Sequence, residues 1–230
     1  VCWPWFGGLP FNPEAIAPEY ASPPTPAHGL VRQQPWTLQH TREDSDGITL
    51  HFGLSDQADR QSLPAVEPTL TVRLDDGLSL ALNNHNHGNT PVWISQALHS
   101  YFAVSDSRQV TVHGLETCPY VDALDDWQSH RQESPLTFVA ETDRLYLQLP
   151  DTVHIDDPGW QRRLTLSAAG SRSAVVWNPW IEKSRRLAQF ADDAWQRMLC
   201  IETARVLDNA LLLGPDEQHS MVVRFVTTAL

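Results

Sequence analysis

An antiparallel all-β fold, a large sandwich with few short helices, is the class that this sequence predicts. Three observations carry the prediction. From Trp36 onward the 230-residue chain is a succession of short segments with period-two alternation, separated by turn residues at near-regular spacing. Helical signals are few, the best being 181–190, where Ile181, Leu187 and Phe190 form a short apolar stripe. No internal repeat or low-complexity tract divides the chain, so one domain spanning 1–230 is expected, long enough to bury a core unaided.

The opening is different in texture. Trp3, Pro4, Trp5, Phe6 and Gly7 stand together, followed by Pro10, Pro13, Pro18, Pro23, Pro24 and Pro26. Proline at this density blocks helices and central strands alike, while the clustered aromatics argue for ordered loop or edge structure over a linker. Strands are then predicted at 48–52, 69–74 and 78–82, with Asp75-Asp76-Gly77 as the hairpin turn between the last two. Further strands are predicted at 109–113, 145–149, 163–167, 173–177, 210–213 and 220–226.

Composition narrows the partners. A formal net charge of -12 disfavours nucleic acid and anionic membrane surfaces, although a local cluster of Arg and Lys can still hold a small anion. The three cysteines, Cys2, Cys118 and Cys200, form no CxxC pair and no His/Cys spacing suited to zinc, so no metal is expected. An odd, sparse set reads as reduced thiols in a cytoplasmic protein. No apolar run approaches the roughly 18 to 20 residues that cross a bilayer. A monomer is the default expectation.

Several segments set titratable groups beside aromatics: His28-Gly29-Leu30-Val31-Arg32; Leu98-His99-Ser100-Tyr101-Phe102; Glu141-Thr142-Asp143-Arg144; Val176-Trp177-Asn178-Pro179-Trp180 on to Lys183; and Met198-Leu199-Cys200-Ile201-Glu202. Each has a plain structural reading. In a chain with ten histidines, a lone His28 or His99 is more often a surface or satisfied structural group, and Trp177 and Trp180 read as core. Glu202, next to apolar residues, is expected at a strand end, where burial is costly unless the acid is paired or functional.

Taken in order, the set resembles the glucose-6-phosphate 1-epimerases (hexose-6-phosphate mutarotases), relatives of the aldose 1-epimerases with the galactose mutarotase-like fold. The resemblance runs through Pro4-Trp5-Phe6-Gly7, His28 to Arg32, Leu98 to Phe102, Gly114-Leu115, Tyr120 to Asp122, Glu141 to Arg144, Val176 to Lys183 and Cys200 to Glu202. It implies an isomerase that interconverts the α and β anomers of a hexose 6-phosphate, with His99 and Glu202 at the catalytic positions and no cofactor. Opening the pyranose removes the proton of the C1 hydroxyl while the ring oxygen is protonated, and a carboxylate base with an imidazolium acid supplies both transfers. The resemblance further implies that His28 and Asp143 bind sugar hydroxyls or orient the ring. Arg32 becomes the first candidate for the phosphate, since a guanidinium fork matches phosphate oxygens, with Lys183 the second. Trp177 or Trp180 would pack on the apolar sugar face.

The chain begins at Val1, with no initiator methionine, whereas members of the family extend upstream through further strands and an Arg that helps bind phosphate. The expectation is therefore a domain lacking N-terminal strands and one phosphate ligand. Two other readings remain open. One is a sugar-phosphate-binding module without catalysis; the other is a glycosidase using Asp143 and Glu202, which leaves His99 idle and gives Arg32 no anion.

Overall fold

The computed structural model describes residues 1–16, 25–59 and 63–230, so Pro18, Pro23 and Pro24 of the Pro-rich opening lie outside the described residues. The chain forms two compact units, each assembled from separated stretches of sequence. The first comprises Val1–Leu98, Ala169–Ser171 and Ala204–Arg224, and the second His99–Ala168, Arg172–Thr203 and Phe225–Leu230.

The first unit begins with strands β1 (Trp36–Asp44), β2 (Gly47–Leu54), β3 (Val66–Leu74) and β4 (Leu78–Asn86), then the short β5 (Val92–Ile94) and β6 (Gln96–Leu98). Strands β1 to β4 pair antiparallel in sequence order. Leu74 faces Leu78, so Asp75, Asp76 and Gly77 form the hairpin loop that the sequence predicts. The Gly77 N–H donates to Asp75 Oδ1 at 2.9 Å and holds that loop closed.

The opening segment packs into this unit as ordered loop. Trp3 clusters with Val31, Leu54, Val66, Ile94 and Leu213, and Trp5 with Leu9, Ile16 and Ala210. A buried indole needs a partner for its N–H. That of Trp3 donates to Asn84 Oδ1 at 2.8 Å, and the Asn84 amide donates on to Gln96 Oε1 at 3.0 Å. Gly29 lies against the same segment with φ +81°, and a Cβ there would meet the Trp3 carbonyl oxygen at 2.0 Å. Only glycine permits this approach, which sets the loop carrying His28 and Arg32 against the N-terminal strip.

The second unit contains β7 (Tyr101–Ala103), β8 (Thr111–His113), β9 (Pro119–Asp122), β10 (Gln128–Arg131), β11 (Thr142–Leu147), β12 (Thr152–Asp157), β13 (Arg162–Ala169) and β14 (Ser173–Asn178). Helix α1 (Trp180–Arg186) and β15 (Met198–Arg205) follow, with Ala169 at the end of β13 and Ala204 and Arg205 at the end of β15 belonging to the first unit. One sheet of the unit runs β10-β9-β11-β14-β15, with β7 pairing β15, and a second runs β13-β12-β8. Both supply one apolar core. Leu199 and Ile201 of β15, Val176 of β14 and Tyr146 of β11 enter it from the first sheet, and Val112, Ile155 and Leu164 from the second. The last strands, β16 (Leu211–Leu213) and β17 (Gln218–Ala229), return to the first unit, where β16 pairs β5. Strand β17 continues past Arg224 into residues of the second.

The all-β class, the β3–β4 hairpin and the scarcity of helix agree with the sequence, whereas β1 and β12 stand where the sequence predicts no strand. Boundaries shift. The 109–113 strand is confined to Thr111–His113, the 145–149 strand becomes Thr142–Leu147, and the 210–213 strand starts at Leu211. Helix α1 stops at Arg186 because Leu187 turns extended, at φ -84° and ψ 109°, so Leu187 and Phe190 fall outside it. Glu202 sits inside β15, not at a strand end. Every residue from Met198 to Thr203 is buried, so the strand lacks the alternation by which half-exposed strands are recognised.

Gly7 and Gly29 separate two costs. Gly7 has φ +63° with open space where a Cβ would go, so Gly7→Ala should cost only the left-handed backbone penalty, roughly 1–2 kcal/mol. Gly29→Ala adds the collision with Trp3 and should lower the denaturation midpoint clearly further. Equal midpoints for the two variants would contradict this packing.

Candidate active site

Strand periodicity decides which side chains meet in the second unit. On β15 the odd residues Leu199 and Ile201 enter the core, so Cys200 and Glu202 project from the opposite face. Cys200 is in register with Tyr101 of β7, and Trp177 of β14 with Asp143 of β11. Register partners share a face, so Tyr101, Asp143, Trp177, Cys200 and Glu202 all stand on the side turned away from that core. His99, two residues before Tyr101, joins them.

At the centre, His99 Nδ1 lies 3.3 Å from Glu202 Oε1, with the Glu202 side chain 2% exposed and that of His99 16%. Rings hold the imidazole in place. Tyr101 stacks on His99 with centroids 4.9 Å apart and planes 3° from parallel, and Trp177 meets His99 edge-on at 6.4 Å. Phe190 continues the aromatic wall, 6.3 Å from Trp177. Tyr101 is 53% exposed, so one side of this aromatic group faces solvent.

Beside the pair, Lys183 Nζ lies 3.0 Å from Glu141 Oε1 and 3.5 Å from Asp143 Oδ2, and 5.8 Å from the Trp177 ring centre. Burial raises the Asp143 carboxyl above its usual range, opposed by the Lys183 charge and hydrogen bond. Burial likewise pushes the Cys200 thiol far up, reinforced by the negative charges of Glu202 and Asp143. The helix that delivers Lys183 is pinned at its start by Asn178. Its Oδ1 accepts from the Trp180 N–H at 2.9 Å, and its amide donates to the carbonyls of Trp195 at 2.9 Å and Met198 at 2.8 Å. Asn178 thus ties α1 to the entrance of β15.

His28 and Arg32 lie in the first unit. His28 adopts φ +66° and its Nδ1 accepts from the Gly7 N–H at 3.2 Å, with Phe6 edge-on at 5.0 Å. Burial, then the nearby Arg32 charge, pushes its imidazole down to about 4. A neutral ring that accepts at Nδ1 carries its proton on Nε2, so His28 presents a fixed tautomer with a donor at the far nitrogen. Arg32 is exposed.

The structure therefore brings together His99, Glu202, Asp143, Trp177 and Lys183 in one unit, and His28 with Arg32 in the other. Trp180 packs on Trp195, with centroids 4.3 Å apart and planes tilted by 47°, and against the apolar core of its unit. Sequence reasoning left Tyr101, Glu141 and Cys200 without a role. The signal for two of them was present, because Tyr101 follows His99 by two residues and Cys200 precedes Glu202 by two, the spacing of same-face neighbours on a strand. The first unit also carries a groove of about 560 Å³ lined by Glu67, Asn83, His85, His87 and Ser220 among others. Two of its imidazoles are engaged by carboxylates, His85 with Asp216 at 2.8 Å and His87 with Glu67 at 3.6 Å.

These features define a β protein with an imidazole–carboxylate pair set in an aromatic wall on one face of a sheet. The chain belongs to the aldose 1-epimerase family, whose pattern it matches over residues 1–226. An Escherichia coli protein named "Putative glucose-6-phosphate 1-epimerase" is 31% identical over 89% of this chain, which spans 65% of that relative's length. The crystal structure of the Salmonella typhimurium protein YeaD, described as a "putative mutarotase", superimposes with a TM-score of 0.85 at 26% identity, covering 100% of this chain and 73% of that one. A galactose mutarotase-like protein of Clostridium acetobutylicum shares the fold, with a TM-score of 0.68 at 15% identity over 89% of this chain and 69% of its own.

The displaced His28 has a measurable consequence. Between about 4 and the ordinary imidazole value near 6.5, the unfolded chain binds a proton that folded His28 refuses. His28 therefore contributes stability above this window and loses it as the pH falls through it. His28→Asn, which tolerates the left-handed backbone, should flatten that part of the stability–pH curve in denaturant titrations. The flattening is partial, because His51 and His219 are shifted in the same direction. An unchanged slope would contradict the assigned environment.

Proposed function

We propose that this chain acts as a hexose-6-phosphate 1-epimerase, interconverting the α and β anomers of a sugar phosphate by acid–base ring opening. The observation that carries the reading is the buried contact between His99 and Glu202, 3.3 Å apart beside exposed Tyr101. The C1 hydroxyl oxygen and the ring oxygen are bonded to the same carbon. An acid and a base spaced by one side-chain contact are matched to two oxygens that close together.

Glu202 takes the proton of the C1 hydroxyl as His99 delivers one to the ring oxygen. The bond between C1 and the ring oxygen breaks, leaving an aldehyde at C1 and a hydroxyl at C5. Rotation about C1–C2 presents the other face of the aldehyde. On closure the C5 hydroxyl returns its proton to His99 and the new C1 hydroxyl receives one from Glu202. Both groups end as they began, so the cycle calls for no cofactor. General acid–base assistance contributes typically 10² to 10⁴ to such steps.

The surrounding groups take supporting roles in this reading. Asp143, held by Lys183, orients sugar hydroxyls, and Trp177 offers an apolar face to the ring. Lys183 is already engaged by Glu141 and Asp143, which favours a role in holding Asp143 over one at the phosphate. His28 remains a candidate for binding a sugar hydroxyl on the sequence resemblance. Arg32 remains the phosphate candidate on the sequence resemblance. None of the three cysteines is in a disulfide, in keeping with a reducing, cytoplasmic setting. Among the described residues no helix is long and apolar enough to cross a membrane.

Magnetisation exchange between the two anomers of glucose 6-phosphate, with and without protein, tests the proposal. Exchange should rise well above background and fall at least about a hundredfold in His99→Ala and in Glu202→Gln, each with a normal unfolding transition. Near-wild-type exchange in either variant removes the mechanism. Arg32→Ala should weaken binding of glucose 6-phosphate much more than that of glucose, and equal loss for both would place the phosphate elsewhere.

A further inference from the structure

Cys200 has no part in the proton transfers, yet it stands beside both groups that do. The ligating atoms of His99, Cys200 and Glu202 all lie within 4.8 Å of one another, one nitrogen, one sulfur and one oxygen donor. Cys200 and Glu202 share the same face of β15, and His99 approaches from the turn before β7. The contact is formed within the second unit. Three protein ligands of mixed N, S and O type with a remaining open position describe a tetrahedral site for a borderline divalent ion. Ligands about an ångström closer than the 4.8 Å limit would reach metal bonds of about 2.0–2.3 Å.

The charge around the three donors points the same way. Glu202, Asp143 and Glu141 bring three carboxylates to this face, and Lys183 is the ammonium held among them. A surplus of negative charge in a poorly hydrated site favours a cation. Tyr101, stacked flat on His99, restrains the plane of the imidazole. The partly exposed edge of His99 gives an ion a way in.

We propose that His99, Cys200 and Glu202 form a binding site for one divalent cation of the zinc class, which occupies the acid–base pair and blocks it. As the metal–sulfur bond forms, the Cys200 thiol releases one proton to solvent, His99 releases the proton it carries as the acid of the empty site and donates the freed ring lone pair, and the carboxylate supplies a third ligand. No electron is transferred and no co-reactant is consumed. The same three side chains would thus serve proton transfer when empty and be silenced when an ion is bound.

Cobalt(II) reports thiolate ligation directly, whatever the catalytic activity of the chain. Titrating the protein with cobalt(II) chloride should produce a sulfur-to-cobalt charge-transfer band that saturates near one equivalent and is bleached by zinc. In Cys200→Ser the band should vanish and zinc affinity should fall by at least about tenfold, the lower bound seen even for outer-sphere changes. Cys2→Ser and Cys118→Ser should keep the band. Absence of the band in the wild-type protein, or its survival in Cys200→Ser, overturns the proposal. X-ray absorption of the zinc-loaded wild-type chain needs no variant. One sulfur near 2.3 Å among lighter ligands is expected, and a shell of nitrogen and oxygen alone contradicts the site. Neither readout depends on sugar turnover, so failure here and failure of the epimerase reading are told apart.

Discussion

A carboxylate removed from water must be compensated, because the effective cost of burying an unpaired charge is several kcal/mol. Glu202 is 1% exposed in the middle of a strand whose other face is filled with Leu199 and Ile201. The arrangement of the second unit follows from that demand. His99 is brought to 3.3 Å of the acid, Tyr101 stacks on the imidazole in register with Cys200, and Trp177 closes the side. Slipping β15 by one residue would turn Glu202 into the apolar core and Leu199 and Ile201 out of it. The register of one strand therefore protects both the core and the pair.

The second carboxylate cluster has a different solution. Asp143 and Glu141 share Lys183, which is delivered by a helix that Asn178 ties to the carbonyls of Trp195 and Met198. The Asn-Pro-Trp run thus has an architectural use that its aromatic neighbours obscure. An acid already engaged by an ammonium is better suited to orienting hydroxyls than to attacking a sugar, which weakens the glycosidase reading of Asp143 with Glu202. His28 in the first unit is fixed in another way, by a left-handed backbone, a Gly7 N–H and a Gly29 that brings the loop against Trp3.

Part of the sheet structure was legible through period-two alternation and the turn residues that bound it, although β1, almost wholly exposed, and β12 were not predicted. The 48–52, 69–74, 78–82 and 163–167 segments all fall inside observed strands, and so does 173–177, which its paired β-branched valines mark although β14 is buried on both faces. β15 escaped because burial on both faces erases alternation, and the very short β5, β6 and β7 offer too few residues for a period to register. The helix was overextended because Leu187 and Phe190 have the right spacing for a stripe but pack after the backbone has turned extended. The division into two units could not be read from texture, since each unit draws on three separated stretches. As for the site, the resemblance pointed to individual positions, whereas their meeting required the fold. His99 and Glu202 are about a hundred residues apart in sequence. Tyr101, Glu141 and Cys200 gain their places only when β7, β11 and β15 are set in register.

The central claim is that His99 and Glu202 open the ring without displacing the C1 oxygen. Glucose 6-phosphate labelled with oxygen-18 at C1 tests it most directly, with the isotope shift of the C1 carbon signal followed while the anomers exchange. Ring opening and reclosure carry the same oxygen through the aldehyde, so the account predicts many anomer exchanges for each label lost, with loss only at the spontaneous hydration rate. Loss of label in step with anomer exchange would mean that water attacks C1, as in glycoside hydrolysis, and would contradict the roles given to the pair.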